Sequence, residues 1–260
     1  DISIESCISV IRSEDSSKSK GPNGLPMELI KILLVSSDQD RPTENRPDGH
    51  TRALEAFRDF TANFVNNKLP DFYYRLVNGA QLHALNKKEP TRENPNPDVR
   101  PVAVLDTRVR IMAKITLRGF KEVVRKKCEP QQLGIGTKSG IQKISLMMRM
   151  LYDCCQKRPE AMDTHDEWAF LKLDIQNAHN AFHRRAAMEA LTAHPELHPL
   201  LHLFQVTYAY SPRIVIKDIT QLSGFKTVCL APEAGFQGHP LTSYVFGLVV
   251  DPILIRGNRT

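Results

Sequence analysis

An apolar run, AFLKLDI (residues 169–175), delivers a single carboxylate, Asp174, to its end, and the residues that follow, AHNAFHRRAAMEALTAH, read as a helix. A carboxylate held at the mouth of a sheet suits a divalent ion, because the strand fixes the oxygen ligands while one side stays open to a second ligand. Three histidines, His194, His198 and His202, recur every four residues in HPELHPLLH. On one unbroken helix that spacing would turn three nitrogens toward a zinc ion. Pro195 and Pro199 are expected to interrupt such a helix, and no cysteine completes the set, so solvent-facing loop histidines are expected. No Ser-His-Asp order with a nucleophile elbow occurs, and GIGTKSG lacks the Gly-Lys-Ser/Thr ending of a phosphate loop.

The elements that must position Asp174 are legible in part. QLHALN reads as a short strand, EPTRENPNPDVR as an exposed loop, and PVAVLDT as another strand. RVRIMAKITLRGFKEVVRKK has helical apolar spacing and ends in Arg125, Lys126 and Lys127, which suit the negative end of a helix dipole. That cluster is either a solvated helix end or a patch for a polyanion. Gly-rich GIGTKSG leads into a helix through ISLMMRMLYDCC, RIVIKDIT and FKTVCLA read as paired strands, and EAGFQGHPLTS turns into an apolar helix. GPNGLPMELIKILL is a turn with Pro26 at the first helical position, and TRALEAFRDFTANFVNNK carries Leu54, Phe57, Phe60 and Phe64 at helical spacing. Strands and helices do not alternate strictly, so an α+β class is expected.

The 260-residue chain is long enough to bury a sizeable core, with 41% apolar and 25% charged residues. Its formal charge of +6 tilts toward a polyanionic partner, nucleic acid first among them. No apolar run approaches the length that spans a bilayer, so no membrane partner is expected. Five cysteines, an odd number without a C-x-x-C pair, fit a reducing intracellular compartment better than a disulfide framework. Phe72, Tyr73 and Tyr74 could stack on bases, but core packing is the expected role.

Five of these stretches, KGPNGLPMELIK, RPVAVLDTRVRIMAKI, QLGIGTKSGIQKI, FLKLDIQNAHNAFHR and EAGFQGHPLTSYVFGLVVDPIL, stand in an order that resembles the fingers and palm of reverse transcriptases of the non-LTR retrotransposon and organellar intron types. The polar stretch SEDSSKSK makes residues 1–20 read as a flexible segment, and the resemblance implies a fingers-like region over 21–160 and a partial palm-like region over 161–260 that lacks the Asp-Asp hairpin. It places Asp174 at a metal-binding position, Arg100 on a triphosphate with Lys87 and Lys88 on the strand before it, and Gln237 and Gly238 in a turn against nucleotide and template. Arg110 and the Arg125–Lys127 cluster join these as expected RNA contacts.

The sequence also departs from that pattern. It contains no Asp-Asp dipeptide, whereas the family carries an aromatic-x-Asp-Asp hairpin after the Gln-Gly-x-Pro helix. Polymerisation needs two divalent ions about 4 Å apart, held by several carboxylate oxygens, and one aspartate does not hold a pair. His179 stands where an aromatic ring is usual, and His239 stands where Asp or Ser is usual, adding a potential cation near phosphate. His179 and His183 read as packing or RNA-contacting groups. The expectation is therefore a catalytically inactive, RNA-binding component of a ribonucleoprotein, such as a mitochondrial ribosome. It would have neighbouring proteins and ribosomal or intron RNA as partners, and no cofactor. The alternative is a fragment of an active, Mg2+-dependent RNA-directed DNA polymerase or intron maturase.

Overall fold

The computed structural model describes residues 2–18, 20–35, 49–86, 95, 99–157, 174–175, 177–218, 220, 224–231, 233 and 235–257. Lys87 and Lys88, most of the 89–98 loop and most of the AFLKLDI run lie outside the described residues.

The fold is mixed α+β, built on a sheet of order β2-β1-β3-β4. Strands β1 (Ala80–Asn86) and β2 (Val99–Leu105) pair antiparallel in register from Ala80↔Leu105 to Asn86↔Val99. Strands β3 (Arg213–Lys217) and β4 (Phe225–Leu230) form a second antiparallel pair, with a register shift between Ile214 and Val215. The two pairs are joined in parallel through Ala80↔Ile214 and Gln81↔Val215. A parallel join cannot be made by a tight turn, and here a long, largely helical stretch separates the partners.

Helix α5 (Thr107–Cys128) is the axis of the core. It begins where it does because Asp106, fully buried, accepts from the Arg108 backbone N–H at 2.8 Å and so caps the first turn. Val109, Met112, Ala113, Leu117, Val124 and Cys128 then bury one face at helical spacing. Burial of each large aliphatic side chain contributes about 1.5–3 kcal/mol. The main apolar cluster runs from Phe64 to Leu248 and draws residues from either side of residue 160. It joins α3 (Gly49–Val65), α4 (Asp71–Val77), α8 (Arg184–Thr192), α9 (His198–Tyr208) and α10 (Pro240–Gly257) to α5 and the sheet. A smaller cluster sets α1 (Ile4–Ser13) and α2 (Met27–Leu34) on Ile111 and Ile115 of α5.

The Gly-Pro-Asn-Gly turn has a structural duty. Gly21 has φ +70°, and a Cβ there would lie 2.3 Å from the Leu105 carbonyl oxygen, so only glycine fits. Asn23 donates to Asp106 at 2.6 Å and Thr107 donates to Leu25 O at 2.8 Å, which fastens the turn to the β2–α5 junction. Pro26 is the residue before α2 and not its first residue, a shift of one position.

Three stretches differ from expectation. Residues 1–20, read as flexible, carry α1, whose Cys7, Val10 and Ile11 are buried. The helix read over 178–194 is broken into α7 (Ala178–Ala181) and α8. Phe182 and His183 between them are extended, which lets both Phe182 and Arg184 turn inward and become buried. No single helix carries His194, His198 and His202, as read, but Pro199 sits in the first turn of α9, where a missing N–H costs no intrahelical bond, so His198 and His202 are helical and not loop residues. Pro195 likewise opens a 3-10 turn, Pro195–Leu197. Helix α6 (Gly140–Lys157) forms as read, yet Ile141–Cys154 are all exposed, Ile141 at 74%.

Candidate functional site

An open cleft of about 800 Å³ gathers Arg100 and Pro101 of β2, Asp174 and Ile175, the α7 turn, and Gln237. Three stretches far apart in sequence thus meet at one place, and Arg100, Asp174 and Gln237 are the residues the motif reading put together. Each is exposed.

The local chain explains how they are held. Asn177 adopts a left-handed conformation, φ 53° and ψ 33°, which asparagine tolerates better than most residues, and it turns the chain from Asp174 into α7. His179 is half-buried and packs edge-on against Phe246 of α10, with ring centres 5.7 Å apart at 84°. Its carbonyl accepts from Gly235 N–H at 3.1 Å, so α7 is tied to the loop that carries Gln237. His179 thus serves as part of the cleft wall and as a packing residue at once.

The Gln237 loop is fastened from several sides. Arg184 is buried and donates to the carbonyls of Tyr208 (3.2 Å), Ala231 (2.6 Å) and Glu233 (3.2 Å), while its guanidinium lies 4.6 Å from the centre of the Tyr208 ring. Burial holds the Arg184 pKa below the usual guanidinium value, with Tyr208 and Glu233 acting against that effect. The Tyr208 hydroxyl accepts from Phe236 N–H at 3.0 Å. Gly238 is pressed so closely to β2 that a Cβ would lie 2.3 Å from the Ala103 carbonyl oxygen. Gly238 therefore acts through close packing on the sheet, and Gln237 beside it carries the side chain that reaches the cleft.

His239 is not the cation that the motif comparison suggests. It is buried, its Nδ1 accepts from Leu241 N–H at 3.1 Å, and burial pushes its pKa down to about 3. A neutral ring that accepts a helix N–H does the work of a capping Asp or Ser without the charge.

The remaining expected contacts divide. Arg110 is buried in the α5 face, where desolvation lowers its pKa against the opposing pull of Glu14 and Asp106, so it is a core cation and not an RNA contact. Arg125 pairs with Glu122 and Glu129, and Lys127 pairs with Glu196 at 2.8 Å. Much of the positive charge at the end of α5 is thus matched within the protein; Lys126 is exposed. Tyr73 packs edge-to-face with Phe60 and Tyr74 packs tilted against Phe64 in the core, whereas Phe72 is exposed. His198 and His202 lie one turn apart on α9, exposed, and no group of metal-ligating side chains occurs among the described residues.

Asn177 and Asn180 line the cleft but were not read as site residues; Asn177 entered only as the Asn-Ala step after Asp174, and Asn180 only by its place in QNAHN. The described residues of the cleft then offer one guanidinium, one carboxylate, three carboxamides and one imidazole. Carboxamides donate and accept, which matches base edges and ribose hydroxyls, and a guanidinium matches phosphate. Asp174 is the sole carboxylate among the described residues that line the cleft. No helix among the described residues is long and apolar enough to cross a membrane. No protein-family model matches the chain, and no curated protein matches it.

Proposed function

We propose that the protein is a reverse-transcriptase-like, catalytically inactive RNA-binding component of a ribonucleoprotein, with an organellar ribosome as the specific setting. One observation carries the reading: Arg100, Asp174 and Gln237, singled out by separate motifs, line a single polar cleft. The cleft grips RNA by a phosphate on Arg100 and by base or ribose groups on the carboxamides of Asn177, Asn180 and Gln237. The net charge of +6 favours the encounter. The lone carboxylate at Asp174 orients a hydroxyl or amine by accepting a hydrogen bond.

The test is fluorescence anisotropy with a labelled single-stranded RNA across a salt series. Asp174→Ala leaves the affinity within about tenfold, since one solvent-exposed hydrogen bond contributes about 0.5–1.5 kcal/mol. Arg100→Ala weakens binding and lowers the salt slope by about 0.7, as expected for one single-strand phosphate contact. RNA affinity that is abolished by Asp174→Ala, or is insensitive to Arg100→Ala, overturns the reading.

The retained, exposed Asp174 favours a second reading, a segment of an active polymerase or maturase whose other carboxylates lie elsewhere in the protein. Mg2+-dependent primer extension by the full-length protein would select it.

A further inference from the structure

We propose that a second pocket, at the far end of β1 from the cleft, takes one unstacked nucleobase of the bound RNA, and this rests on the RNA-binding reading above. The pocket has a volume of about 190 Å³ and lies where the end of α4 meets the entry to β3, with Asn78, Arg75, Tyr210, Arg213 and Leu230 in its lining. One bridging water occupies about 30 Å³, so the space exceeds what a solvent molecule needs.

Asn78 supplies the recognition group. It is only 2% exposed, and its Nδ2 donates to the Val206 carbonyl at 2.5 Å. A carbonyl can only accept, so that bond fixes the amide orientation and leaves Oδ1 as the free end. Oδ1 is buried and has no hydrogen-bond partner among the described residues. A buried acceptor without a donor favours a ligand that brings an N–H.

The rest of the lining favours a flat, anion-bearing ligand. The Arg75 guanidinium lies 4.8 Å from the centre of the Tyr210 ring. Guanidinium planes and aromatic faces are the surfaces on which splayed-out RNA bases stack. Arg213 is exposed at the start of β3 and is available to a phosphate. A nucleotide satisfies all three features: an N–H edge for Asn78, a planar ring for Arg75 and Tyr210, and a phosphate for Arg213.

The geometry also suits one strand reaching both sites. Arg100 pairs across from Leu85 near one end of β1, and Asn78 precedes the other end. Seven steps of strand cover about 23 Å. That span is comparable with the several-nucleotide tracks of single-strand binders.

The experiment titrates the four nucleoside monophosphates, and inorganic phosphate separately, into the protein carrying Arg100→Ala and Gln237→Ala, which silences the cleft. The readout is the amide NMR shifts of Gly79 and Ser211, beside the pocket. At least one mononucleotide shifts these signals saturably, at least tenfold more tightly than phosphate alone. Asn78→Leu weakens that binding about tenfold. Arg75→Gln, an exposed position that leaves the fold intact, weakens it several-fold and keeps the test informative if Asn78→Leu does not fold. No saturable shift, equal affinity for phosphate, or indifference to Arg75→Gln overturns the proposal. The wild-type RNA titration with Arg100→Ala alone reports on the cleft, so failure of one reading is separable from failure of the other.

Discussion

His239 shows how far one side chain can depart from what its type suggests. A histidine in a Gln-Gly-x-Pro turn reads as a cation beside phosphate, but its burial and its bond from Leu241 N–H make it a neutral cap. Its Nε2 is buried without a partner among the described residues, so protonation brings no compensating contact. The folded-state pKa is about 3, below the ordinary value of 6.5. A depressed histidine pKa means that the unfolded chain takes up the proton first, so its stability contribution is complete above about pH 6.5 and is lost as pH falls toward 3. Between pH 6.5 and 4.5 the wild type should lose about 2 kcal/mol more than His239→Ser, whose hydroxyl also caps but does not titrate. Urea unfolding at a series of pH values measures the difference; parallel curves for the two proteins would refute it. The residue's identity was legible in the sequence, but its burial depends on Tyr208 and α10, which no local pattern reveals.

At the scale of elements, strands and long helices were legible because period-two and helical patterns are local properties. The break between α7 and α8 was not, because it exists to place Phe182 and Arg184 against partners more than 20 residues away in sequence. Much the same holds for the cleft. Arg100, Asp174 and Gln237 could be named from motif order, but Asn177, Asn180 and the backing of His179 by Phe246 required the fold. Arg184 is the fastening of the Gln237 loop, and Arg184→Met leaves the carbonyls of Tyr208, Ala231 and Glu233 without their donor. A destabilisation of about 3 kcal/mol is expected in denaturant unfolding, with weaker RNA binding in the fraction that remains folded. Arg184→Lys should recover little of either, since an ammonium cannot span three carbonyls in a planar fork.

Across the whole molecule, the charge and apolar patterns were only half informative. The basic composition did not reveal that Arg125 and Lys127 are paired with glutamates, nor that Arg110 is buried. The Gly-rich turn before α6 signalled a helix without signalling that Ile141, Met147 and Met150 face solvent. Substituting Ile141 and Met150 by Glu should change stability by no more than about 0.5 kcal/mol each and reduce self-association in light scattering at micromolar protein. A large drop in melting temperature would show that α6 is held by contacts of its own. Strand β2, finally, is gripped by the segments around residues 21 and 238. Gly21 closes on the Leu105 carbonyl and Gly238 on that of Ala103, two positions apart on one strand. The polypeptide is therefore buckled like a belt, with β2 as the clasp. A nascent chain on the ribosome can complete that closure only after residue 238 has emerged, and β2 amides should be among the slowest to exchange with deuterium once it has.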